Sequence, residues 1–283
     1  MLDIRSARVD ATNAGAIPDA VLADLLAAIV RLAEDAGRAI LDIYVGDFAV
    51  DFKEDASPLT AADLAAQRVI VAGLAQIAPH IPILSEEALE VPWSERRRWQ
   101  SFWLVDPLDG TREFVKRNGE FTVNIALIER HRPVLGVVHA PVHLRTAWAQ
   151  REHGAWQRQG LGGDVRRLRV APRVAPPWRV LGSRSHRDAE TARFLDAQGP
   201  IEVTGLGSSL KFVAIAAGEA DLYARFGPTS EWDTGAGQCV LEEAGGAVVG
   251  LDGKALDYNA RETLLNPSFI ACAGQPSRWI PGA

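Results

Sequence analysis

The stretch Trp103-Leu-Val-Asp-Pro-Leu-Asp-Gly-Thr-Arg-Glu-Phe114 constrains this chain more than any other. The apolar run Phe102 to Val105 reads as a buried strand that stops at Asp106, and a turn follows at once at Pro107 and Asp109-Gly110. Two carboxylates, Asp106 and Asp109, thus sit three positions apart at a strand end, where a turn can point both at one spot. The carbonyl of Leu108 lies between them and the hydroxyl of Thr111 follows. Hard oxygen ligands grouped in this way suit Mg²⁺. A plain turn equally accounts for one aspartate and the glycine, because both residue types favour turns.

The chain has 283 residues, enough for one large domain or two smaller ones. Its 47% hydrophobic and 23% charged content is that of an ordinary soluble globular protein. A formal net charge of −6 argues against general affinity for nucleic acid or anionic membrane, while leaving room for a local basic pocket that takes a phosphorylated small molecule. Cys239 and Cys272 are far apart and lack metal-ligand spacing, so they read as reduced, buried thiols of a cytoplasmic protein. Met1 to Pro18 is polar and has no apolar core of a signal peptide. No apolar run approaches the length of a membrane span, so no integral membrane segment is expected.

Along the chain, residues 1–17 read as a flexible tail. Pro18 opens an amphipathic helix to about Ile43, and Phe48 to Lys53 reads as a short strand. Thr60 caps a second helix that runs to about Ile77. Asp63, three residues on, resembles the acid of a capping box, which is its plain structural reading. Ile81 to Leu84 is a short strand that ends in Ser85-Glu86-Glu87. The charged stretch to Trp99, with Arg96-Arg97-Arg98, reads as a solvated excursion. Phe114 to Glu120 reads as a loop, followed by a meander of strands at Phe121–Ile128, Val134–Ala140, Arg145–Gln150 and Ala155–Arg158.

A glycine-rich loop at 160–164 and a proline-rich stretch at 172–177 mark a boundary. Beyond it, strands alternate with helices, including one that starts at Ser208-Ser209 and one that runs from Glu231 through Glu243. The expected division is an α+β subdomain over 18–165 with the metal site and an α/β subdomain over 166–283 with substrate-binding residues.

Asp63, Glu86, the Asp106/Asp109 pair and Asp233 all lie near strand or helix ends. Four such clusters converging would make a multi-cation site of the kind that activates water and neutralises a leaving oxygen in phosphoryl transfer. A phosphate-binding set accompanies them: Ser208 and Ser209 before a helix, Lys211, Arg225 at a strand end, and His186 in a Gly-Ser-Arg-Ser-His loop. Read alone, each has a plainer account. Ser208 and Ser209 suit a helix cap, Lys211 and Arg225 suit solvent, and His186 suits a surface loop. His139 and His143 read as structural, and the tryptophans as packing.

Taken together, these residues resemble the inositol monophosphatase superfamily of Mg²⁺-dependent, lithium-sensitive phosphatases. The pattern is Glu86-Glu87 after a strand, then Asp106-Pro-Leu-Asp-Gly-Thr111, then Trp232-Asp233 at a helix start. Leu-Ser-Glu-Glu87, Asn118-Gly-Glu-Phe-Thr-Val-Asn-Ile-Ala-Leu127, Gly207-Ser-Ser-Leu-Lys-Phe212 and Tyr223-Ala-Arg-Phe-Gly-Pro-Thr229 resemble its bacterial 3'(2'),5'-bisphosphate nucleotidase branch. Arg112-Glu113 points the same way, since inositol phosphatases usually continue with Thr-Asn-Phe. Arg112 in place of Lys, Glu231 before Trp-Asp and a longer N-terminal tail are the departures.

The resemblance implies an α/β fold, a layered αβαβα sandwich of the sugar-phosphatase type. It implies Mg²⁺, two or three per site, held by the side chains of Glu86, Asp106, Asp109 and Asp233 and the carbonyl of Leu108, with inhibition by Li⁺. Thr111, with Glu86 or Asp63, would orient and deprotonate the attacking water. Gly110 and Thr111 would contact the scissile phosphate. Ser208, Lys211, Arg225 and His186, together with Asp233, would hold the rest of the substrate. The implied reaction is in-line attack by water on 3'-phosphoadenosine 5'-phosphate, giving AMP and phosphate, with 3'-phosphoadenylyl sulfate as a second substrate and a link to sulfate assimilation. The implied enzyme is cytoplasmic, free or peripheral to the inner membrane, and a monomer or homodimer. Rival expectations are an inositol monophosphatase or fructose bisphosphatase activity and a sulfated-nucleotide binder without catalysis.

Overall fold

The computed structural model describes residues 16–280 apart from 47–49, 53–57, 89, 161 and 184–188. The first elements are helix α1 (Asp19–Tyr44), strands β1 (Val50–Phe52) and β2 (Pro58–Thr60), helix α2 (Ala61–Ile77), strand β3 (Ile83–Ser85), helix α3 (Trp93–Arg96), strand β4 (Ser101–Asp109) and helix α4 (Thr111–Val115). Five strands follow: β5 (Thr122–Glu129), β6 (Arg132–Ala140), β7 (Arg145–Gln150), β8 (Gly154–Gln159) and β9 (Val165–Arg167). The remainder is β10 (Trp178–Gly182), α5 (Ala189–Asp196), β11 (Ile201–Gly205), α6 (Leu210–Ala216), β12 (Leu222–Arg225), a 3₁₀ turn Glu231–Asp233, α7 (Gly235–Glu243), β13 (Ala247–Gly250) and β14 (Phe269–Cys272).

A seven-stranded sheet runs in the order β3-β4-β5-β6-β7-β8-β9 and is antiparallel except where β3 lies beside β4. A five-stranded sheet runs β11-β10-β12-β14-β13, with β10 parallel to both its neighbours. Side chains of a strand alternate between faces. On the larger sheet, Trp103, Val105, Ile125 and Leu127 therefore pack against α1 and α2, which bury Leu25, Ile29 and Ile70 there. Phe102, Leu104, Ala126 and Ile128 on the other face share a core with α6, α7 and the near face of the smaller sheet, including Phe212, Val240, Tyr223 and Phe269. The far face of the smaller sheet, with Val180, Leu222 and Ile270, packs with Leu195 of α5 and with Trp279. Three cores between five layers make the expected αβαβα sandwich. Because α6 lies in the middle layer, all of its residues are buried, Lys211 among them.

The structure departs from the sequence expectations at several points. β4 does not stop at Asp106. It continues to Asp109 through a register shift: Asp106 pairs with Asn124 and Asp109 with Thr122, so three steps oppose two. That is a β-bulge, and it accommodates Pro107, which has no N–H for the ladder. Phe114, expected in a loop, belongs to α4 and packs its ring on Tyr44 and Phe121. The helix expected from Glu231 to Glu243 is divided into the 3₁₀ turn and α7. β9 adds a strand whose residues are all exposed, which is why no alternation announced it.

The charged stretch before Trp99 is not wholly solvated. Arg96 is buried, and its guanidinium donates to Asn259 Oδ1 at 2.6 Å, to the Arg261 carbonyl at 3.1 Å and to the Glu262 carbonyl. A planar fork of donors can be buried when carbonyls meet it. Of the expected 1–17 tail, residues 16 and 17 are described, and the buried Ile17 donates its N–H to Glu129 Oε1 at 2.7 Å. Met1 to Gly15, and the expected strand Phe48–Lys53 beyond β1, lie outside the described residues.

Candidate active site

Three elements deliver carboxylates to one spot. Glu86 follows directly on β3, Asp106 sits at the bulge of β4, and Asp233 ends the 3₁₀ turn. One oxygen from each of these three residues lies within 4.8 Å of the others. Asp106 is buried. Its Oδ1 accepts the Leu108 N–H at 3.0 Å, and its buried Oδ2 has no hydrogen-bond partner among the described residues. Burial, then the charges of Glu86, Asp109 and Asp233, pushes the Asp106 pKa well above the usual carboxylate range. Burial, then Asp109 and Glu86, does the same to Asp233. A buried carboxylate oxygen with no donor, beside two further carboxylates, fits a divalent cation, whose charge and coordination answer both deficits.

Asp109 stands slightly apart. Its Oδ2 accepts from Ser209 N at 2.6 Å, Ser209 Oγ at 2.7 Å and Asn124 Nδ2 at 3.2 Å, so its rotamer is fixed from a neighbouring strand and a helix start. Gly110 follows with φ 95°, and a Cβ there would stand 3.2 Å from the Glu120 carbonyl. Only glycine meets both demands at low cost. Thr111 Oγ1 lies 3.3 Å from the Leu108 carbonyl and 3.2 Å from Asp63 Oδ1, and it can donate to either. Asp63 Oδ2 accepts from both the N–H and the hydroxyl of Thr60, each at 2.7 Å, which is the capping box expected from the sequence. Asp63 is therefore a helix cap and a neighbour of Thr111 at once. Burial, opposed by its bonds to Thr60 and Thr111, raises its pKa.

Glu86, Asp106, Asp109, Gly110, Thr111 and Asp233 line a cavity of about 350 Å³ together with Ser208, Lys211, Tyr223 and Arg225. Lys211 and Arg225 are not solvent-exposed, as each read alone suggested. Both are buried, because α6 occupies the middle layer and β12 is the central strand of its sheet. Lys211 Nζ donates to the carbonyls of Ser208 at 2.6 Å and Leu206 at 3.3 Å and lies 5.0 Å from the centre of the Tyr223 ring. Burial lowers its pKa to about 8, with the nearby Asp109 carboxylate opposing. Arg225 donates to the carbonyls of Gly227 at 3.1 Å and Pro228 at 2.6 Å. Ser208 takes a left-handed φ of 49°. His186 lies outside the described residues.

Glu231 is near the cluster in sequence but turns away from it. It is fully buried, outside the cavity lining, and accepts the Asn259 N–H at 2.7 Å, while burial pushes its pKa up to about 7. His139 has the structural place expected of it, with Nδ1 2.9 Å from Thr146 Oγ1 and a pKa lowered by burial to about 4. Sequence reasoning did not single out Asn124 or Glu120, and it took Ser209 for a plain cap. The signal for Asn124 is its register opposite Asp106, which only the assembled ladder reveals.

The profile of the inositol monophosphatase family matches residues 21–278. The 3'(2'),5'-bisphosphate nucleotidase CysQ of Salmonella typhimurium is 50% identical over 248 residues, which cover 87% of this chain and 98% of the relative. The protein of that name from Buchnera aphidicola is 41% identical over 253 residues, covering 88% of this chain and 94% of the relative. Among solved structures, CysQ from Bacteroides thetaiotaomicron, described as a bacterial member of the inositol monophosphatase family, superposes with a TM-score of 0.78 at 41% identity, covering 89% of this chain and 98% of that one. An IMPase from Thermotoga maritima superposes with a TM-score of 0.76 at 25% identity, covering 91% and 95%.

Proposed function

The chain belongs to the inositol monophosphatase family, and from that premise we propose that it is a Mg²⁺-dependent 3'(2'),5'-bisphosphate nucleotidase. It hydrolyses 3'-phosphoadenosine 5'-phosphate to AMP and phosphate, takes 3'-phosphoadenylyl sulfate as a second substrate, and serves sulfate assimilation in the cytoplasm. The observation that carries the reading is one cavity lined both by three carboxylates within 4.8 Å of one another and by the buried cations Lys211 and Arg225, which suits a substrate with more than one anionic group. The half-identical nucleotidase of Salmonella typhimurium supports the same choice.

Glu86, Asp106, Asp109, Asp233 and the Leu108 carbonyl hold two or three Mg²⁺ in this reading. Bound there, Mg²⁺ supplies an activated water and neutralises charge on the leaving oxygen. The protein's own part is positioning and proton handling. When Thr111 donates its hydroxyl to Asp63, its Oγ1 keeps lone pairs that can accept from water. A water proton passes to Thr111 as its own moves to Asp63, and the raised pKa of Asp63 suits it to receive one. Gly110 and Thr111 sit against the scissile phosphate. Ser208, Lys211, Arg225 and His186 hold the nucleotide and its uncleaved phosphate, as fixed charges in a water-poor site do best.

The test is phosphate release from 3'-phosphoadenosine 5'-phosphate, inositol 1-phosphate and fructose 1,6-bisphosphate, each with and without Mg²⁺. The bisphosphate nucleotide is expected to have the highest kcat/KM, and only with Mg²⁺. Faster turnover of inositol 1-phosphate overturns the substrate assignment. Millimolar Li⁺ is expected to inhibit, and full activity in its presence counts against the cation site as drawn.

A further inference from the structure

The segment Leu206–Ser209 joins β11 to α6 and carries Ser208 to the cavity. Three side chains hold its backbone. Glu120 Oε2 accepts the Gly207 N–H at 2.8 Å, and Asp109 Oδ2 accepts the Ser209 N–H at 2.6 Å. Lys211 Nζ donates to the carbonyls of Leu206 and Ser208. Two carboxylates attached to the larger sheet thus reach across to grip a segment attached to the smaller one, on either side of Ser208. Between them, Ser208 keeps a left-handed φ of 49°, a conformation a serine holds only when its surroundings impose it. Its Cβ stands 3.4 Å from the place a Cβ would take on Gly110, so the segment abuts the turn that follows Asp109. Contact is close at Gly207 too, where a Cβ would stand 2.5 Å from the Glu120 carbonyl.

Glu120 is itself held in place. It is buried, its N–H donates to Asn118 Oδ1 at 3.0 Å, and Asn118 Nδ2 donates to the buried Glu113. It is not part of the cavity lining. Asp109 serves the acid cluster as well as the segment, whereas Glu120 has no part in the reaction drawn above.

We propose that Glu120 is a positioning residue that locks Leu206–Ser209 and so sets the place of Ser208 and Lys211 relative to the acid cluster. This rests on the bisphosphate nucleotidase reading. A ligand held by the acids alone depends little on that placement. A bisphosphate that also engages Ser208 and Lys211 depends on it.

The experiment compares Glu120→Ala, Glu120→Asp and Glu120→Gln with the parent, as full chains with Mg²⁺. KM and kcat are measured for 3'-phosphoadenosine 5'-phosphate, along with inhibition by inorganic phosphate, which probes the acid cluster. The Ala and Asp variants lose the bond to Gly207 and are expected to raise KM by about tenfold, the scale of one charge-assisted hydrogen bond. Their kcat and phosphate inhibition are expected to move by less than about threefold, because no residue of the acid cluster is altered. The Gln variant keeps an oxygen at the right reach and is expected to return KM to near the parent value. If kcat, KM and phosphate inhibition all deteriorate together, or if Gln behaves as Ala does, the inference is overturned. Should the Ala variant fail to fold, the contrast between Asp and Gln decides it. A parent that does not prefer the bisphosphate nucleotide sinks the nucleotidase reading and this inference with it, and that is visible before any variant is made.

Discussion

Asp63 and Asp233 occupy the same local motif and acquire different neighbours. Each lies three residues after a hydroxyl residue, Thr60 or Ser230, that opens a helical turn in a capping box. Each commits Oδ2 to the backbone N–H of that residue, at 2.7 Å and 2.9 Å. At Asp63 the other oxygen meets a donor, the hydroxyl of Thr111. Asp233 instead places an oxygen within 4.8 Å of those of Glu86 and Asp106. Burial raises the pKa of both, but only Asp233 is raised further by other carboxylates. A cap and a site role are therefore not alternatives. The cap occupies one oxygen and fixes the rotamer, and what the second oxygen faces decides the chemistry: a donor makes a proton acceptor, and further carboxylates make a cation ligand.

The largest expected effect tests that distinction directly. Asp233→Asn removes a carboxylate from the cluster and should lower kcat/KM by about 10³-fold, the scale of removing a principal electrostatic group. It should also raise the Mg²⁺ concentration needed for half activity. Asp63→Asn removes only a proton acceptor and should cost about 10²-fold, within the range of general base catalysis, without moving Mg²⁺ half-activation. Steady-state kinetics over a Mg²⁺ titration separate the two. Equal shifts in Mg²⁺ dependence would place both acids in one role and dissolve the comparison.

Asp63 was legible because a hydroxyl residue three positions before an acid marks a helix start, and Asp233 because it stands at the start of an expected helix, where acids can gather; the Ser230 cap emerged only in the structure. Glu86 and Asp106 were legible because apolar runs stop beside them. The order of helices and strands indicated an α+β half followed by a mixed α/β half, and the αβαβα layering was implied by the family resemblance. What stayed hidden depends on contacts between distant segments. Arg96 is buried by Asn259, 163 positions away. Asn124 reaches Asp109 and Ser209 only because β5 lies in a particular register beside β4. Lys211 and Arg225 look like solvent-exposed cations until the middle layer and the central strand close over them. Local pattern locates the ends of elements, and depth and register come only from assembly.

The turn that carries Asp233 also carries Glu231, and the two carboxylates face opposite ways. Glu231 is buried against Asn259, and burial lifts its pKa from 4.5 to about 7. A folded pKa above the unfolded one means that the folded state binds the proton more tightly. The associated stability is fully present below about pH 4.5 and is lost as pH rises through about 7. Glu231 should therefore account for about 2 kcal/mol of the unfolding free energy lost between pH 5 and pH 8, read as the difference between the parent and Glu231→Gln in denaturant unfolding. Glu231→Gln keeps an acceptor for Asn259 and cannot ionise, so its profile should be flatter over that interval. An unchanged slope would show that Glu231 is not the group responsible. Asp63 has no acidic neighbour of this kind on its own first turn, where Ala62 and Leu64 flank it.

The smallest expected effect separates the two caps themselves. Asp63 is held by two donors of Thr60, the backbone N–H and the hydroxyl, and the hydroxyl also accepts from Ala62 N at 3.2 Å. Thr60→Ala removes a donor to Asp63 and an acceptor at the start of a 17-residue helix. It should cost about 1 kcal/mol of stability, as lost caps do, and should weaken turnover because the Asp63 rotamer is freed. At Asp233 the bond that fixes the carboxylate comes from the Ser230 backbone, which an alanine retains. The Ser230 carbonyl is also held independently by Asn266 Nδ2 at 2.7 Å. Ser230→Ala removes the cap acceptor of a three-residue turn rather than of a 17-residue helix, so it should cost less stability than Thr60→Ala and keep its Mg²⁺ dependence. Denaturant midpoints and kcat for the two variants check this. If Ser230→Ala loses as much activity as Thr60→Ala, the serine hydroxyl rather than the backbone N–H positions Asp233, and the two caps work alike.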